Sequence, residues 1–262
     1  MQIEMSRRHA LVTGASRGIG AAVALNLARH GARVSVSARD RDALAQLEAE
    51  ASRGPGRVRG LIADMSHASA VDAMLDRVEA EEGPVDILVN NVGQSPSRNF
   101  LQMSDEDWER LLRLNLLAAV RCTRRVLPHM RSQRWGRVVM IASAAAKYPD
   151  APLVDYAASK AALVSVAKSL ARRYGRDNVL VNSVLPGLIR TPMWERAANE
   201  IAAARGIDRE AVFEEMAKRV PLGRYGTPEE VAALVTFIVS DGATYLNGAA
   251  IDLDGGMGGA LF

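Results

Sequence analysis

Tyr156 and Lys160 are the residues whose types and spacing most directly indicate chemistry. They lie four residues apart in Tyr156-Ala-Ala-Ser-Lys160, and at that spacing two side chains project from one face of a helix. A phenol ionises near pH ~10, so it needs a neighbouring cation and a desolvated site to exchange protons at neutral pH. The pair therefore indicates a general acid or base. Taken alone it is more often two ordinary helix residues, and the rest of the chain has to decide.

Composition and charge restrict the class of protein. Of 262 residues, 48% are apolar and 24% charged, which is typical of a globular chain with a sizeable core. The 33 basic and 30 acidic residues leave a net charge of only +3, with no basic block. We therefore expect no nucleic-acid partner.

Cysteine, histidine and hydropathy patterns point to a cytoplasmic protein. The single cysteine, Cys122, excludes an internal disulfide, and the four histidines show no metal-ligand spacing. No apolar run reaches eighteen residues, and the N-terminus has no signal h-region. We expect neither a metal site nor a membrane span.

Short apolar runs alternate with amphipathic segments along the chain. The runs predict strands at 10–13, 33–37, 58–63, 85–90, 137–143, 180–185 and 249–253. The amphipathic segments predict helices at 19–30, 41–51, 68–81, 105–130, 156–174 and 228–240. This alternation is typical of an α/β, doubly wound, Rossmann-type domain with a seven-stranded parallel sheet. Because no linker or repeat interrupts it, we predict one domain over 1–262.

A glycine-rich turn follows the first predicted strand. Its sequence, Thr13-Gly14-Ala15-Ser16-Arg17-Gly18-Ile19-Gly20, has the spacing GxxxGxG. Such a turn lets backbone N–H groups approach a pyrophosphate at a helix N-terminus. A tight turn without a ligand is the alternative, but three glycines in eight residues exceed what a turn requires. The predicted dinucleotide contacts are Gly14, Ser16, Arg17, Gly18, Ile19 and Gly20.

The end of the second predicted strand indicates which dinucleotide binds. An acid about 20 residues after the glycine turn accepts the ribose 2′-hydroxyl of NAD, whereas an arginine accommodates the 2′-phosphate of NADP. Here the strand ends at Ala38 and is followed by Arg39 and Asp40. Arg39 and Arg17 together suit a dianion, so we predict NADP(H). In the alternative, Asp40 binds the ribose of NAD(H) and Arg39 faces solvent.

Further polar residues follow the third, fourth and fifth predicted strands. Asp64-Met65 is placed to contact the adenine, although Asp64 could instead cap the next helix. Asn91 and Gly93 lie at the carboxyl edge of the sheet, where ligands of open α/β folds bind. Ser143 ends the fifth strand at the same edge. Asn115 lies among leucines, so it needs hydrogen bonds, and a structural role is as well supported as a catalytic one.

Taken in order, these motifs resemble the short-chain dehydrogenase/reductase family, in its single-domain branch. The series is TGASRGIG, Asp64-Met65, NNVG, Asn115, Ser143, YAASK and Pro186-Gly187, and the resemblance extends from Arg8 to Gly256. One departure is Val92, where the family commonly has Ala; we expect it to change packing only.

The resemblance implies a role for each catalytic residue. Tyr156 protonates the carbonyl oxygen during reduction, and Ser143 polarises that oxygen. Lys160 lowers the Tyr156 pKa and binds the nicotinamide ribose, while Asn115 holds a water that relays protons. The resemblance also implies that one segment runs along the nicotinamide, with contacts from Pro186, Gly187, Ile189 and Thr191.

The region 188–225 corresponds to the substrate lid of the family, with predicted helices at 194–205 and 209–220. Its apolar residues are Met193, Trp194, Ile201, Val212, Phe213 and Met216. They suggest a substrate with hydrophobic bulk, or they merely pack the lid onto the body. Tyr148, Pro149, Asp150 and Leu153 could line the opposite wall, and Asp150 and Asp155 either contact a polar group or are solvated.

The predicted activity is NADP(H)-dependent reduction of a ketone to a secondary alcohol. The general similarity is to 3-oxoacyl-carrier-protein reductases, and the substrate is a 3-oxoacyl, alicyclic or polyketide-like ketone. The alternatives are a secondary alcohol or sugar dehydrogenase that works oxidatively, and a dinucleotide-binding sensor. A sensor would usually lack the tyrosine or the lysine, and both are present. Relatives further imply a homotetramer or homodimer.

Overall fold

The computed structural model describes residues 3–259 and contains one seven-stranded parallel sheet. The strands are β1 His9–Thr13, β2 Arg33–Ala38, β3 Arg57–Ile62, β4 Ile87–Asn90, β5 Gly136–Ile141, β6 Val179–Pro186 and β7 Ala250–Leu253. The helices are α1 Gly18–Arg29, α2 Arg41–Ala51, α3 Ala68–Glu82, α4 Asp105–Leu112, α5 Ala118–Ser132, α6 Val154–Tyr174, α7 Pro192–Arg205, α8 Arg209–Ala217 and α9 Pro228–Val239. The predicted fold class is confirmed.

The strand order is β3-β2-β1-β4-β5-β6-β7. From β1 the chain adds strands toward one edge of the sheet, and from β4 it adds them toward the other edge. β1 pairs in parallel with β2 on one side and β4 on the other. A doubly wound sheet opens a crevice at the carboxyl ends of the strands at such a reversal. The crevice lies where the glycine turn leaves β1 and where Asn91 follows β4.

Both faces of the sheet are covered, which explains why the strands read as continuous apolar runs. All residues of β1, β4, β5 and β6 are buried. One core joins the sheet to α1, α2 and α9, and a second core joins the opposite face to α3, α5 and α6. Cys122 lies in the second core, where burial raises its thiol pKa to about 12, so it is a packing residue.

Local sequence signals fix where several helices begin. Ser104 and Asp107 form a reciprocal capping box at the start of α4, and Thr227 and Glu230 form another at the start of α9. Pro228 occupies the first turn of α9, where its missing N–H costs no helical hydrogen bond.

The helix predicted over 105–130 is not a regular α-helix. A π-helical turn, Arg113–Leu117, separates α4 from α5 and contains Asn115. Such insertions occur mostly at functional sites, and the side chain of Asn115 has polar partners outside the helix that hold it there. β5 ends two residues before Ser143, which instead begins the short helix Ala144–Ala146.

The region 188–225 contains α7 and α8, which share a small core of their own. Ala198, Ala202, Val212 and Phe213 are buried there, with Trp194, Ile201, Met216 and Tyr225 packed against them. The second helix ends at Ala217 rather than at the predicted 220. Within residues 3–259, no helix combines the length and hydropathy of a membrane span.

Candidate active site

The glycine turn between β1 and α1 has backbone requirements that other residues do not meet. Gly14 has φ +67°, and a Cβ there would lie 2.8 Å from the Val92 Cα. A Cβ on Gly20 would lie 2.5 Å from the Asn91 Nδ2. Arg17, at the N-cap of α1, has no side-chain capping hydrogen bond. The first N–H groups of α1 therefore suit an anion such as a pyrophosphate.

Asn91 holds this turn against the end of β4. Its Nδ2 donates to the carbonyl oxygens of Thr13 and Gly14, at 3.0 and 2.9 Å. Its backbone N–H donates to the Thr13 Oγ1 at 3.0 Å. The Asn91 amide therefore fixes the shape of the predicted pyrophosphate site, and direct contact between Asn91 and the dinucleotide stays a prediction.

The residues after β2 favour binding of the 2′-phosphate of NADP(H). Asp40 is the N-cap of α2, and its Oδ1 accepts from the Ala43 backbone N–H at 3.1 Å. Arg17 and Arg39 are exposed, and neither has an ion pair among residues 3–259. One oxygen of the carboxylate proposed for NAD(H) is thus used as a helix cap, whereas the two guanidinium groups proposed for NADP(H) have no ion pair within residues 3–259.

Asp64 and Met65 follow β3 as predicted, but Asp64 does not cap α3. The N-cap of α3 is His67, and the Asp64 Oδ1 instead accepts from the backbone N–H and hydroxyl of Ser66, at 3.0 and 2.7 Å. These hydrogen bonds hold the pKa of Asp64 below its usual value. Met65 is buried, and its sulfur accepts from the Ser37 hydroxyl at 3.6 Å.

Tyr156 and Lys160 lie in the first two turns of α6, with the lysine side chain directed back toward β5. The Lys160 Nζ donates to the Ile141 carbonyl oxygen at 2.8 Å and lies 5.7 Å from the centroid of the Tyr156 ring. Lys160 is 3% exposed, and burial lowers its pKa to about 8. Burial therefore favours the neutral amine of Lys160 more than it would at an exposed lysine.

The Tyr156 pKa differs from the expectation. Burial raises it, and the hydrogen bond with Ser143 opposes that rise only in part. We expected Lys160 to lower this pKa, but its ammonium is hydrogen-bonded to a backbone carbonyl rather than to the phenol. In this structure Tyr156 is thus held in its neutral form, which is the form that donates a proton.

Ser143 stands at the start of the loop between β5 and α6. Its Oγ accepts from the Ala145 backbone N–H at 3.2 Å, and its interaction with the Tyr156 phenol acts to lower the pKa of that phenol, against the effect of burial. Because the hydroxyl hydrogen remains available as a donor, Ser143 and Tyr156 can hydrogen-bond a single oxygen atom.

Asn115 is fully hydrogen-bonded to two neighbouring segments. Its Oδ1 accepts from the Gln94 backbone N–H, and its Nδ2 donates to the Gln94 carbonyl, both at 2.9 Å. The same Nδ2 donates to the Ser159 Oγ at 3.1 Å, and Ser159 donates to the Tyr156 carbonyl at 2.7 Å. Asn115 therefore connects the loop after β4 with the turn of α6 that carries Tyr156.

Gly93 is needed where this loop passes the lysine. A Cβ on Gly93 would lie 3.3 Å from both the Lys160 Nζ and the Asn115 Oδ1. Any side chain would therefore crowd the space around the ammonium. This close approach accounts for the glycine independently of any cofactor contact.

The predicted nicotinamide segment lies across from the glycine turn. Gly187 donates its N–H to the Leu253 carbonyl at 3.0 Å, and a Cβ there would lie 2.7 Å from the Asp254 Cβ. Ile189 is buried, Pro186 ends β6, and Thr191 caps α7. A Cβ on Gly18 would lie 3.5 Å from the Thr191 Cγ2. The two predicted cofactor segments therefore face each other.

Two polar residues beside the site, Ser159 and Arg98, were not predicted, and for Asp155 the structure favours the polar-contact alternative over solvation. Ser159 is fully buried within the YAASK segment, and its position three residues after Tyr156 was the available signal. Asp155 is 1% exposed and pairs with Arg98, so it is not solvated. No motif marks Arg98. Within residues 3–259, His, Cys, Asp and Glu form no group of three suited to a metal ion.

The fold and these contacts define a class of protein, a dinucleotide-binding oxidoreductase with a tyrosine–lysine–serine centre. A family model described as Enoyl-(Acyl carrier protein) reductase matches residues 14–258. The chain belongs to the short-chain dehydrogenase/reductase family, so the resemblance seen in its motifs is confirmed.

Curated relatives match over nearly the whole chain. The short-chain reductase protein NovJ of Streptomyces niveus is 40% identical over 248 residues, covering 94% of this chain and 92% of that protein. The 3-oxoacyl-[acyl-carrier-protein] reductase FabG of Thermotoga maritima is 34% identical over 247 residues, covering 94% and 96%.

Solved structures match equally well. L-sorbose reductase from Gluconobacter frateurii, complexed with NADPH and L-sorbose, has a TM-score of 0.96 at 35% identity and full coverage of both chains. A single-residue variant of actinorhodin polyketide ketoreductase with NADPH has a TM-score of 0.92 at 33% identity, covering 97% and 98%.

Proposed function

We propose that this protein is an NADP(H)-dependent reductase that converts a ketone to a secondary alcohol, with Tyr156 as general acid. The observation that supports this most directly is the partly buried Tyr156 phenol at the carboxyl edge of the sheet, one helical turn from Lys160, whose Nζ lies 5.7 Å from the centroid of the tyrosine ring. The relatives named as ketoreductases or 3-oxoacyl reductases support this reaction class.

The cofactor is NADP(H). Arg17 and Arg39 are exposed beside the glycine turn, and Asp40 is engaged as a helix cap. Two solved relatives were determined with NADPH. Backbone N–H groups of Ser16, Gly18 and Ile19 suit the pyrophosphate, and Arg39 with Arg17 suits the 2′-phosphate.

The residues of this chain divide the work on the carbonyl group. NADPH supplies the hydride when bound. Tyr156 donates a proton to the carbonyl oxygen, and Ser143 hydrogen-bonds the same oxygen as negative charge develops on it. Lys160 binds the nicotinamide ribose, and its positive charge favours the phenolate left on Tyr156. Because the Asn115 amide is hydrogen-bonded to Gln94 and Ser159, we assign it to positioning Gln94 and α6, and the water relay implied by the family resemblance stays a prediction.

The substrate class is a 3-oxoacyl, alicyclic or polyketide-like ketone, bound beneath the lid at about 188–225. Most of the apolar lid residues that suggested hydrophobic bulk pack in the lid's own core, and of that set only Met193 is well exposed, at 39%. Their packing therefore supports the alternative that these residues pack the lid rather than contact a bulky apolar substrate. The match to L-sorbose reductase favours a ketose as a second candidate substrate. The reverse reaction, oxidation of a sugar or a secondary alcohol, is the alternative direction.

The decisive experiment compares wild type with Tyr156→Phe. We expect kcat/KM for NADPH-dependent ketone reduction to fall by at least ~10², because the phenylalanine lacks the transferable proton. NADPH binding, followed by nucleotide fluorescence, should persist. A panel containing an acetoacetyl thioester, a cyclic ketone and a ketohexose assigns the substrate class. Unchanged turnover in Tyr156→Phe would refute the general-acid assignment, and NADPH binding without turnover on any carbonyl would favour a sensor.

The same proposal includes assembly and location. We expect a homotetramer or homodimer built through the segments 105–130 and 156–174 and the last strand, in the cytoplasm. Light scattering that gives a monomer mass would overturn the assembly.

A further inference from the structure

The segment 93–98, here called the strap, crosses the front of the catalytic centre and is tied down at both ends. At its start, Gly93 passes Lys160, and Gln94 is hydrogen-bonded twice to Asn115. At its end, the Arg98 backbone N–H donates to the Pro152 carbonyl at 3.2 Å. The strap therefore runs from the lysine ammonium to the beginning of the helix that carries Tyr156.

A side-chain ion pair reinforces the second attachment. The Arg98 Nη1 lies 3.3 Å from the Oδ2 of Asp155, the residue before Tyr156. The Asp155 side chain is 1% exposed, and that of Arg98 is 23% exposed. The other oxygen of Asp155, Oδ1, accepts from the Tyr156 backbone N–H at 2.8 Å. One carboxylate thus joins the strap directly to the backbone of the proposed acid.

The charges around this pair explain why a cation is required at position 98. The same Arg98 Nη1 lies 3.4 Å from Asp107 Oδ1 in α4, so one cation serves carboxylates on two helices. Asp107 also pairs with Arg110, whereas Asp155 has no second cationic partner among residues 3–259. Removing Arg98 would leave a buried carboxylate uncompensated, which is far more disruptive than losing an exposed ion pair.

We propose that Arg98 is a positioning residue, which acts through Asp155 to fix the strap against α6 and so sets the placement of Tyr156 relative to the substrate. This inference rests on the proposed reductase function. A misplacement of the acid by a fraction of an ångström lowers the rate of the chemical step while leaving a separate cofactor site intact. The expected signature is a loss in kcat rather than in NADPH affinity.

The test compares Arg98→Lys with Arg98→Met, because the lysine and methionine side chains have similar length and differ in charge. We expect Arg98→Met to lower kcat by ~10-fold or more with an unchanged NADPH dissociation constant, and Arg98→Lys to restore most of the rate. Adding Asp155→Asn to Arg98→Met should recover part of the lost kcat, because the stranded charge is removed. Arg57→Ala is the control, since it breaks the Arg57–Glu82 pair at the far edge of the sheet and should leave kcat unchanged.

Two results would overturn the inference. One is an equal kcat for Arg98→Met and Arg98→Lys. If Arg98→Met does not fold, the inference is overturned when folded Arg98→Lys loses as much kcat as the single variant Asp155→Asn. The other is a loss of thermal stability in Arg98→Met with wild-type kcat. Failure of the proposed function is distinguishable, because it appears as unchanged turnover in Tyr156→Phe whatever the Arg98 variants do.

Discussion

The two ends of the parallel sheet both bury polar side chains but use them differently. At the amino end, His9 is fully buried, its Nδ1 lies 3.1 and 3.0 Å from the carbonyls of Gly83 and Pro84, and its Nε2 lies 2.9 Å from the Ser35 hydroxyl. Asp86 accepts from the His9 backbone N–H and from Gln133, at 3.0 and 2.7 Å. Both ring nitrogens of His9 and both carboxylate oxygens of Asp86 therefore have hydrogen-bonding partners.

At the carboxyl end, the buried groups keep unused hydrogen-bonding capacity. In the part of the chain that the structure describes, the Lys160 ammonium uses one of its three N–H groups, on Ile141. Tyr156 is partly buried, and burial raises the pKa of its phenol. Saturated polar groups stabilise a fold, whereas buried groups with spare donors carry a desolvation cost that a ligand relieves. The difference separates the His9–Asp86 cluster, which is structural, from Tyr156 and Lys160, which are functional.

Replacing Lys160 gives the largest expected effect. In Lys160→Met, we expect kcat/KM to fall by at least ~10² and the NADPH dissociation constant to rise ~10-fold, because one charge serves both the phenol and the ribose. Steady-state kinetics and nucleotide fluorescence measure the two effects. Loss of turnover with unaltered NADPH affinity would remove the ribose role.

Replacing Arg39 tests the cofactor side of the carboxyl end. In Arg39→Ala, we expect NADPH to bind ~10- to 100-fold more weakly, because a charge-assisted contact with the 2′-phosphate is lost. NADH, which lacks that phosphate, should bind as before. Arg53→Ala, on the exposed segment after α2, is the matched control. Equal weakening of NADPH and NADH would contradict the 2′-phosphate assignment.

Replacing His9 tests the amino end. In His9→Leu, we expect the free energy of unfolding to fall by about 1–3 kcal/mol, because two carbonyls and a hydroxyl lose their buried partner. Denaturant titration measures this loss, while kcat/KM of the folded enzyme should match wild type. A large loss of kcat/KM without loss of stability would break the distinction between the two ends.

The smallest expected effect is a pH dependence at the amino end. Burial lowers the His9 pKa below its usual value near 6.5, so below that pH the unfolded chain binds a proton before the folded protein does. The stability contributed by neutral His9 is therefore present above pH 6.5 and is lost as the pH falls through the lowered pKa. Unfolding titrations from pH 7 downward should show a steeper loss for wild type than for His9→Leu. Identical slopes would mean that His9 does not titrate in this range.

Much of the fold and the core of the site were readable from the sequence because both depend on periodicity and motif order. The strands follow apolar runs, and Gly14, Tyr156 and Lys160 belong to compact motifs with characteristic spacing. The π-helical turn at Asn115 was not readable, since 105–130 has helical periodicity throughout. Within that turn the Asn115 side chain accepts a hydrogen bond from Gln94, 21 residues away, which local periodicity does not reveal.

The sequence by itself determined the family, the order of the elements and the chemical types at the site. Only the tertiary structure decided which polar groups are already engaged: Asp40 as a helix cap, Asn115 on Gln94 and Ser159, and Asp155 on Arg98. The physical reason is that hydrogen bonds and desolvation depend on neighbours that folding brings together from distant positions. For the same reason, only the structure showed that burial raises the Tyr156 pKa while lowering that of Lys160.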